Sequence, residues 1–475
     1  MTTDTTQAAL AAFSALLGPG GLKTAPEDTA PFLREWRDLY QGTTPGVLLP
    51  QSTEAVSAIM KVASEHGVPI VPQGGNTGLV GGQIPDGTGR EFVLSLTRMN
   101  RVRGVDGEGN TLTVEAGLTL QGAQEAAESV DRLFPLSLGS EGSCTIGGNL
   151  STNAGGTAVL AYGNARDLVL GLEVVLADGR IWSGLSSLRK DNTGYDLKQL
   201  FLGSEGTLGI ITAAVLKLFP RPAERLAAFL AVPTPHEALA LFNRARAAAG
   251  PQLTGFEIMP RIGVEFCLSH LPGARDPLET PSPWYVLMEW SAGTDTSAAE
   301  SAFEALLEEA MEAGLVSDGA LAASETQARA FWAMRHGMSE VQRHEGGSIK
   351  HDVSVPVARV PDFLDVATKA VLDMVPGCRP VPFGHLGDGN IHFNVSQPLG
   401  ADKADYLALW DAMNARVHAI VQDFGGSISA EHGIGRLKRP LMADVKDGVS
   451  LDLMRSLKAT FDPQGILNPG RVLPD

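Results

Sequence analysis

Three glycine-rich segments constrain this chain more than any other feature: residues 71–82, 138–156 and 202–212. Successive glycines lack the Cβ that keeps backbones apart, so their N–H groups can converge on an anion or lie against a bulky ligand. The first segment, Val71-Pro72-Gln73-Gly74-Gly75-Asn76-Thr77-Gly78, follows an apolar strand pattern and runs on to Gly81-Gly82. Its spacing does not match G-x-G-x-x-G, and Gln83-Ile84-Pro85-Asp86-Gly87 cannot open the helix that a dinucleotide loop needs. No Gly-Lys-Ser/Thr follows, so it is not a P-loop. Taken alone, it suits an anion-binding nest or a tight structural turn. The second segment, Leu138 to Gly156, is a stretch of small residues and hydroxyls expected to run extended, with Ile146 and Leu150 as buried anchors. A merely flexible loop would carry charge and proline. Small residues with many N–H and O–H donors suit a chain lying flat along a large cofactor. The third segment, Leu202 to Thr212, has the same character.

The chain has 475 residues, enough for two to four domains at roughly 100–200 residues each. Its net charge is −17, a field that disfavours nucleic acid and anionic membrane surfaces. An acidic protein that takes an acidic substrate must gather Arg, Lys or metal locally. Cys144, Cys267 and Cys378 are too few and too scattered for a disulfide framework or a CxxC metal knuckle, which suits a reducing compartment. The residues from Met1 to Gln7 lack the basic and apolar regions of a signal peptide, and no apolar run approaches the roughly 20 residues that span a bilayer. These readings lead to the expectation of a cytoplasmic protein.

Apolar periodicity predicts helices over 7–17, 52–65, 120–129, 236–249, 297–313, 324–345 and 450–461, and one long helix over 401–424. Strands are expected at 47–49, 68–71, 111–116, 226–232, 284–290 and 349–355. Pro220-Arg221-Pro222 marks a boundary, beyond which helices and strands alternate as in an α+β domain with helices on one face of an antiparallel sheet.

The densest chemistry lies in Gly384-His385-Leu386-Gly387-Asp388-Gly389-Asn390-Ile391-His392-Phe393-Asn394. Gly-Asp-Gly-Asn between apolar residues reads as a hairpin turn. A turn at 387–390 would set His385 opposite His392, with Asn394 on the same face as His392. Opposed Cβ atoms lie about 4.5–5.5 Å apart, so two such imidazoles can share a metal ion, although hydrogen-bonded surface histidines are the commoner case. Glu431-His432 places an acid beside a base. In extended chain the two point to opposite faces, so one can complete a metal site while the other works on substrate. Arg335 and Ser339 share a helix face, and Lys350 follows in a strand beside His351-Asp352.

In this order and at this spacing, the segments resemble the vanillyl-alcohol oxidase / p-cresol methylhydroxylase FAD superfamily. The similarity runs from about residue 30 to the C-terminus, within the branch that holds D-2-hydroxyglutarate dehydrogenases, D-lactate dehydrogenases and the glycolate oxidase flavin subunit. The resemblance implies an α+β protein with a two-subdomain FAD-binding domain over 1–222. It also implies an antiparallel α+β substrate-binding cap over 223–424 and a small helical region, 425–475, returning to the flavin. Pro72, Gly74, Gly75, Asn76, Thr77 and Gly78 would cradle the pyrophosphate. Leu138, Gly139, Ser143, Thr145, Ile146, Gly148, Asn149, Thr152 and Gly155 would lie along the flavin and ribityl chain. Glu205, Gly209 and Ile210 would hold the adenosine end, and Asn468 would return to the flavin ring. The first loop has no His, so non-covalent FAD is expected. His385, His392 and Glu431 match divalent-metal ligands, with zinc the best fit and manganese or iron as alternatives. His432 matches the catalytic base, and Arg335, Ser339, Lys350, Asn394 and His432 match substrate contacts. Ser339 stands where the family usually has Thr, which keeps the hydroxyl. His336 stands where it often has Glu, which leaves the helix chemistry there open. The implied reaction is oxidation of a D-2-hydroxy acid, foremost D-2-hydroxyglutarate, by proton abstraction and hydride transfer to FAD, with D-lactate or glycolate as the alternative substrate. An electron-transfer flavoprotein is the implied acceptor, and a homodimer the candidate assembly.

Overall fold

The computed structural model describes residues 3–474, with the side chains of the first two of these left aside. Met1, Thr2 and Asp475 lie outside the described residues. The chain divides into two compact units. One comprises Met1–Gly156, Gly163–Arg221 and Glu431–Asp475; the other comprises Thr157–Tyr162 and Pro222–Ala430.

The first unit holds two main sheets. In the smaller, Val47–Leu48, Phe92–Ser95 and Ile70–Gln73 run parallel, and Leu22–Lys23 is added antiparallel to Val47–Leu48. The crossover helix Thr53–His66 starts where the Ser52 side chain accepts from the Ala55 N–H. It buries Val56, Ile59, Met60 and Ala63, one stripe at helical spacing. The C-terminal chain returns to this sheet. Ile70 donates to the Ile466 carbonyl (2.8 Å) and Asn468 donates to the Ile70 carbonyl (2.9 Å). The second sheet is antiparallel, in the order Val102–Asp106, Thr111–Glu115, Ile210–Lys217, Val169–Val175, Ile181–Gly184.

The second glycine segment does not run extended as expected. Residues Ile146–Ser151 form a short helix, and the Thr145 side chain caps it by accepting from Gly148 N–H. Ile146 and Leu150, one turn apart, are both buried on this helix. Hydroxyl capping and the four-residue apolar spacing decide the matter against the low helix propensity of Gly147 and Gly148.

The second unit is built on an eight-stranded antiparallel sheet. Its order is Asp318–Leu321, Glu224–Val232, Trp284–Ala292, Leu253–Pro260, Arg379–His385, Asn390–Ser396, Ser348–Ile349, with Asp352–Ser354 also pairing with Asn390–Ser396. Strands such as Ala227 to Val232 are buried on both faces, so no polar alternation marks an outer side. Ala228, Leu230 and Val232 pack with Phe242, Phe303 and Phe363. Phe229 and Ala231 point the other way and pack with Val264, Phe331 and Met338. Helices therefore cover both faces, not one. Arg261–His270 and Glu325–Val341 lie on the second face.

The pattern over 401–424 is two helices rather than one, Lys403–Leu407 and Trp410–Asp423. The Tyr406 hydroxyl donates to the Val395 carbonyl at 2.7 Å and pins the first turn to the sheet. No helix among the described residues is long and apolar enough to cross a membrane.

Candidate active site

In the second unit the chemistry gathers on the hairpin of Arg379–His385 and Asn390–Ser396. The turn takes Leu386 to Gly389. The Gly389 N–H bonds to the His385 carbonyl at 3.0 Å, and Gly389 has a φ of +84°, which favours glycine. His385 therefore pairs with Asn390, and Phe383 with His392. This corrects the expected pairing of His385 with His392 and of Leu386 with Ile391. The register has moved by two residues, which preserves facing, whereas a slip of one would have turned every side chain over. His385 and His392 thus still share a face as diagonal neighbours, with ring centroids 5.7 Å apart. Asn394 follows on that face and is buried, and Asp352 lies opposite His392.

Sequence reasoning missed Glu257. It lies on Leu253–Pro260, paired with His385, and is 1 % exposed. One carboxylate oxygen lies 2.6 Å from His385 Nδ1, and the other accepts from Arg335 Nε at 2.6 Å. Burial pushes the carboxyl pKa up, but Arg335 and His385 outweigh it and hold the group at about 2. A carboxylate can only accept, so Nδ1 of His385 carries a proton and, in the neutral ring, the lone pair stands on Nε2. That is the tautomer a metal ligand needs. The signal for Glu257 was an acid between Phe256 and Ile258 in an apolar strand, which must find a cation.

Arg335 is buried on helix Glu325–Val341, its guanidinium carbon 4.8 Å from the Phe383 ring centroid. Its Nη2 is buried with no hydrogen-bond partner. The same helix is pinned a second time by Trp332 Nε1, which donates to Glu289 at 2.8 Å. Lys350 Nζ donates to the Ser339 carbonyl (2.6 Å) and to its hydroxyl (3.3 Å), so these two predicted residues are brought together. Ser339 itself is exposed.

In the first unit, strand Ile70–Gln73 delivers the first glycine segment. A Cβ on Gly75 would stand 1.8 Å from the Ser143 carbonyl oxygen, so the first and second segments can pack only with glycine there. Asn76 takes a φ of +56°, and its side chain anchors the loop to the Arg34 carbonyl at 3.0 Å. In the third segment, Glu205 accepts from the N–H groups of Ile434 (2.7 Å) and Gly435 (2.8 Å). Burial raises its pKa, and those two bonds act in the opposite direction. Its carboxylate is therefore spent on the turn after Glu431-His432, while its carbonyl accepts from Asn468 Nδ2 at 2.8 Å. Asn468 Oδ1 is left buried without a partner. Glu431 lies beside the second segment, its Oε1 2.9 Å from where a Cβ on Gly155 would sit.

These residues fit the groups that they suggest. Packed glycine segments and an unpaired Asn468 oxygen suit a large cofactor, and two imidazoles on one face, one in fixed tautomer, suit a divalent metal.

Two family models cover most of the chain, an FAD binding domain over residues 44–184 and the C-terminal domain of FAD linked oxidases over 221–472. The structure of p-cresol methylhydroxylase with substrate bound shares the fold, with a TM-score of 0.78, 17 % identity and coverage of 100 % of this chain and 98 % of that one. Fold and domains define a flavoprotein of the vanillyl-alcohol oxidase type. Over 470 residues the chain is 41 % identical to the mitochondrial D-2-hydroxyglutarate dehydrogenase of Danio rerio, covering 99 % of this chain and 86 % of the relative. It is 38 % identical to the D-2-hydroxyglutarate dehydrogenase of Xanthomonas citri pv. viticola over 451 residues, covering 95 % and 94 %. The chain belongs to the D-2-hydroxyglutarate dehydrogenase family of FAD-linked oxidases.

The mitochondrial name of the Danio rerio relative overturns the cytoplasmic expectation. Cys144, Cys267 and Cys378 are free and buried, which does not distinguish one compartment from another.

Proposed function

We propose that this protein oxidises D-2-hydroxyglutarate to 2-oxoglutarate, using non-covalent FAD and a divalent metal. The observation that carries the reading is the buried array on one sheet face. A fixed His385 tautomer stands beside His392, and the unpartnered Nη2 of Arg335 offers a donor for a carboxylate. Similarity to D-2-hydroxyglutarate dehydrogenases over nearly the whole chain supports the substrate.

In this reading His385, His392 and Glu431 hold the metal. Zinc is the best fit, with manganese or iron as alternatives, and the ion supplies positive charge that eases loss of the substrate hydroxyl proton. His432 takes that proton as the general base. Arg335, Lys350, Ser339 and Asn394 bind the carboxylates and orient the C2 hydrogen. The bound flavin supplies the two-electron acceptor. Gly74 to Gly78 hold its pyrophosphate, residues 138–155 its ring and ribityl chain, and Glu205, Gly209, Ile210 and Asn468 complete the site. An acceptor protein such as an electron-transfer flavoprotein takes the electrons onward.

The test is anaerobic bleaching of the bound flavin. D-2-hydroxyglutarate should reduce it faster than D-lactate or glycolate, chelation should abolish reduction while FAD stays bound, and zinc or manganese should restore it. His432→Asn should keep flavin and metal and lose about 10²–10⁴-fold in reduction rate. Preference for D-lactate would replace the substrate assignment, and full activity in a chelated preparation would remove the metal.

A further inference from the structure

We propose that Glu257 is a positioning residue that sets both halves of this site, the tautomer of His385 and the aim of Arg335. The proposal rests on the reading of His385 as a metal ligand and Arg335 as a carboxylate contact. The argument is one of hydrogen-bond accounting. Glu257 has two oxygens, both fully buried, and each has one neighbour at 2.6 Å, His385 Nδ1 and Arg335 Nε. Backbone register holds the three together, because Glu257 and His385 are paired across adjacent strands. Arg335 is further fixed over Phe383, itself 5.2 Å from His392, so moving the guanidinium disturbs the second imidazole as well. With Nε committed to Glu257, the Nη groups, of which Nη2 is buried without a partner, are left to meet a carboxylate.

The consequence is specific. In Glu257→Gln only one acceptor oxygen remains, and the buried cation has the stronger claim on it. The amide NH₂ then faces His385 Nδ1 and can only donate, which forces the proton to Nε2 and removes the lone pair needed for a metal. In the double variant Glu257→Gln/Arg335→Met the cation is gone. The Gln oxygen is free to accept from Nδ1–H, and the ligand tautomer returns.

The experiment measures zinc affinity of the FAD-loaded protein by competition with a chelator, and reads the His385 tautomer from imidazole ¹⁵N shifts. Glu257→Gln should weaken zinc about 10–100-fold and move the proton to Nε2, with FAD retained. The double variant should bind zinc within a few-fold of the wild type but show a raised KM for D-2-hydroxyglutarate. Wild-type zinc affinity in Glu257→Gln would overturn the proposal, as would a double variant as weak as the single one. The double variant buries no unpaired charge, so it keeps the test open if the single variant does not fold. A wild-type protein that binds no zinc and is not reduced by D-2-hydroxyglutarate would instead fail the functional reading itself.

Discussion

Replacing Arg335 by Met keeps much of the side-chain volume and removes the charge, and its cost can be worked from the geometry. Glu257 would stay fully buried with His385 as its remaining neighbour. Removing one partner of a buried ion pair costs about 3–5 kcal/mol, because the other is left uncompensated. The carboxyl of Glu257 is lowered despite its burial, and Arg335 is the largest of the neighbours that lower it, which agrees in sign. Loss of the cation over the Phe383 ring adds about 0.5–2 kcal/mol. In a unit of roughly 200 residues each kcal/mol lowers Tm by about 2–4 °C, so a total of about 3.5–7 kcal/mol for Arg335→Met should lower it by about 7–28 °C. The assay is calorimetry on chelated protein, with release of FAD followed separately because the glycine segments belong to the other unit. Arg335→Lys keeps the charge but loses the planar fork, so it should recover part of the stability and little of the substrate affinity. A Tm within 2 °C of the wild type for Arg335→Met would refute the reasoning, since Glu257 would then tolerate burial without its cation.

Two further predictions concern groups outside this cluster. Burial pushes the thiol of Cys267 up to about 12 and that of Cys378 up to about 11, so at pH 8 about one thiol in a thousand or fewer is ionised. A disulfide reagent should therefore find these two silent in native protein and reactive in denaturant, and rapid native modification at either would contradict their burial. Glu345 accepts from Arg379 at 2.6 Å and lies 2.6 Å from His270. Burial raises its pKa, but the bonds to Arg379 and then His270 outweigh this and leave it lowered from 4.5. Its contribution to stability is thus present above about 4.5 and lost as pH falls through the lower folded value. The Tm deficit of Arg379→Gln should be full at neutral pH and narrow on acidification below that point; a deficit that widens in acid would refute the assignment.

How much of this was legible in the sequence depended on whether the signal was local. Helix Thr53–His66 could be read to within a residue or so, because its cap, stripe and stop all lie inside one segment. The break between Lys403–Leu407 and Trp410–Asp423 could not, since Tyr406 is held by a carbonyl of a distant strand. The helix at Ile146–Ser151 was missed because Gly147 and Gly148 argued against it, while tertiary burial of Ile146 and Leu150 argued for it. Helices on both faces of the large sheet were missed because its strands are buried on both sides, which removes the alternation that would have shown it.

The site shows the same division. A hairpin keeps its facing under any even change of register, so the shared face of His385 and His392 survived an error in the turn. Glu257 had no such protection from ignorance. It stands 128 positions before His385, so no local pattern links the two. What marks it is energetic: an ionised carboxylate in an apolar strand is untenable without a cation and hydrogen bonds for both oxygens. The chain offers Arg335 in a helix with Phe331, Met334 and Met338 buried around it, and such a cation is equally untenable alone. Each residue read singly suggests a surface charge. Read together, two buried opposite charges within apolar elements imply each other. That inference needs no alignment, and here it leads from a stability argument directly to the ligand histidine.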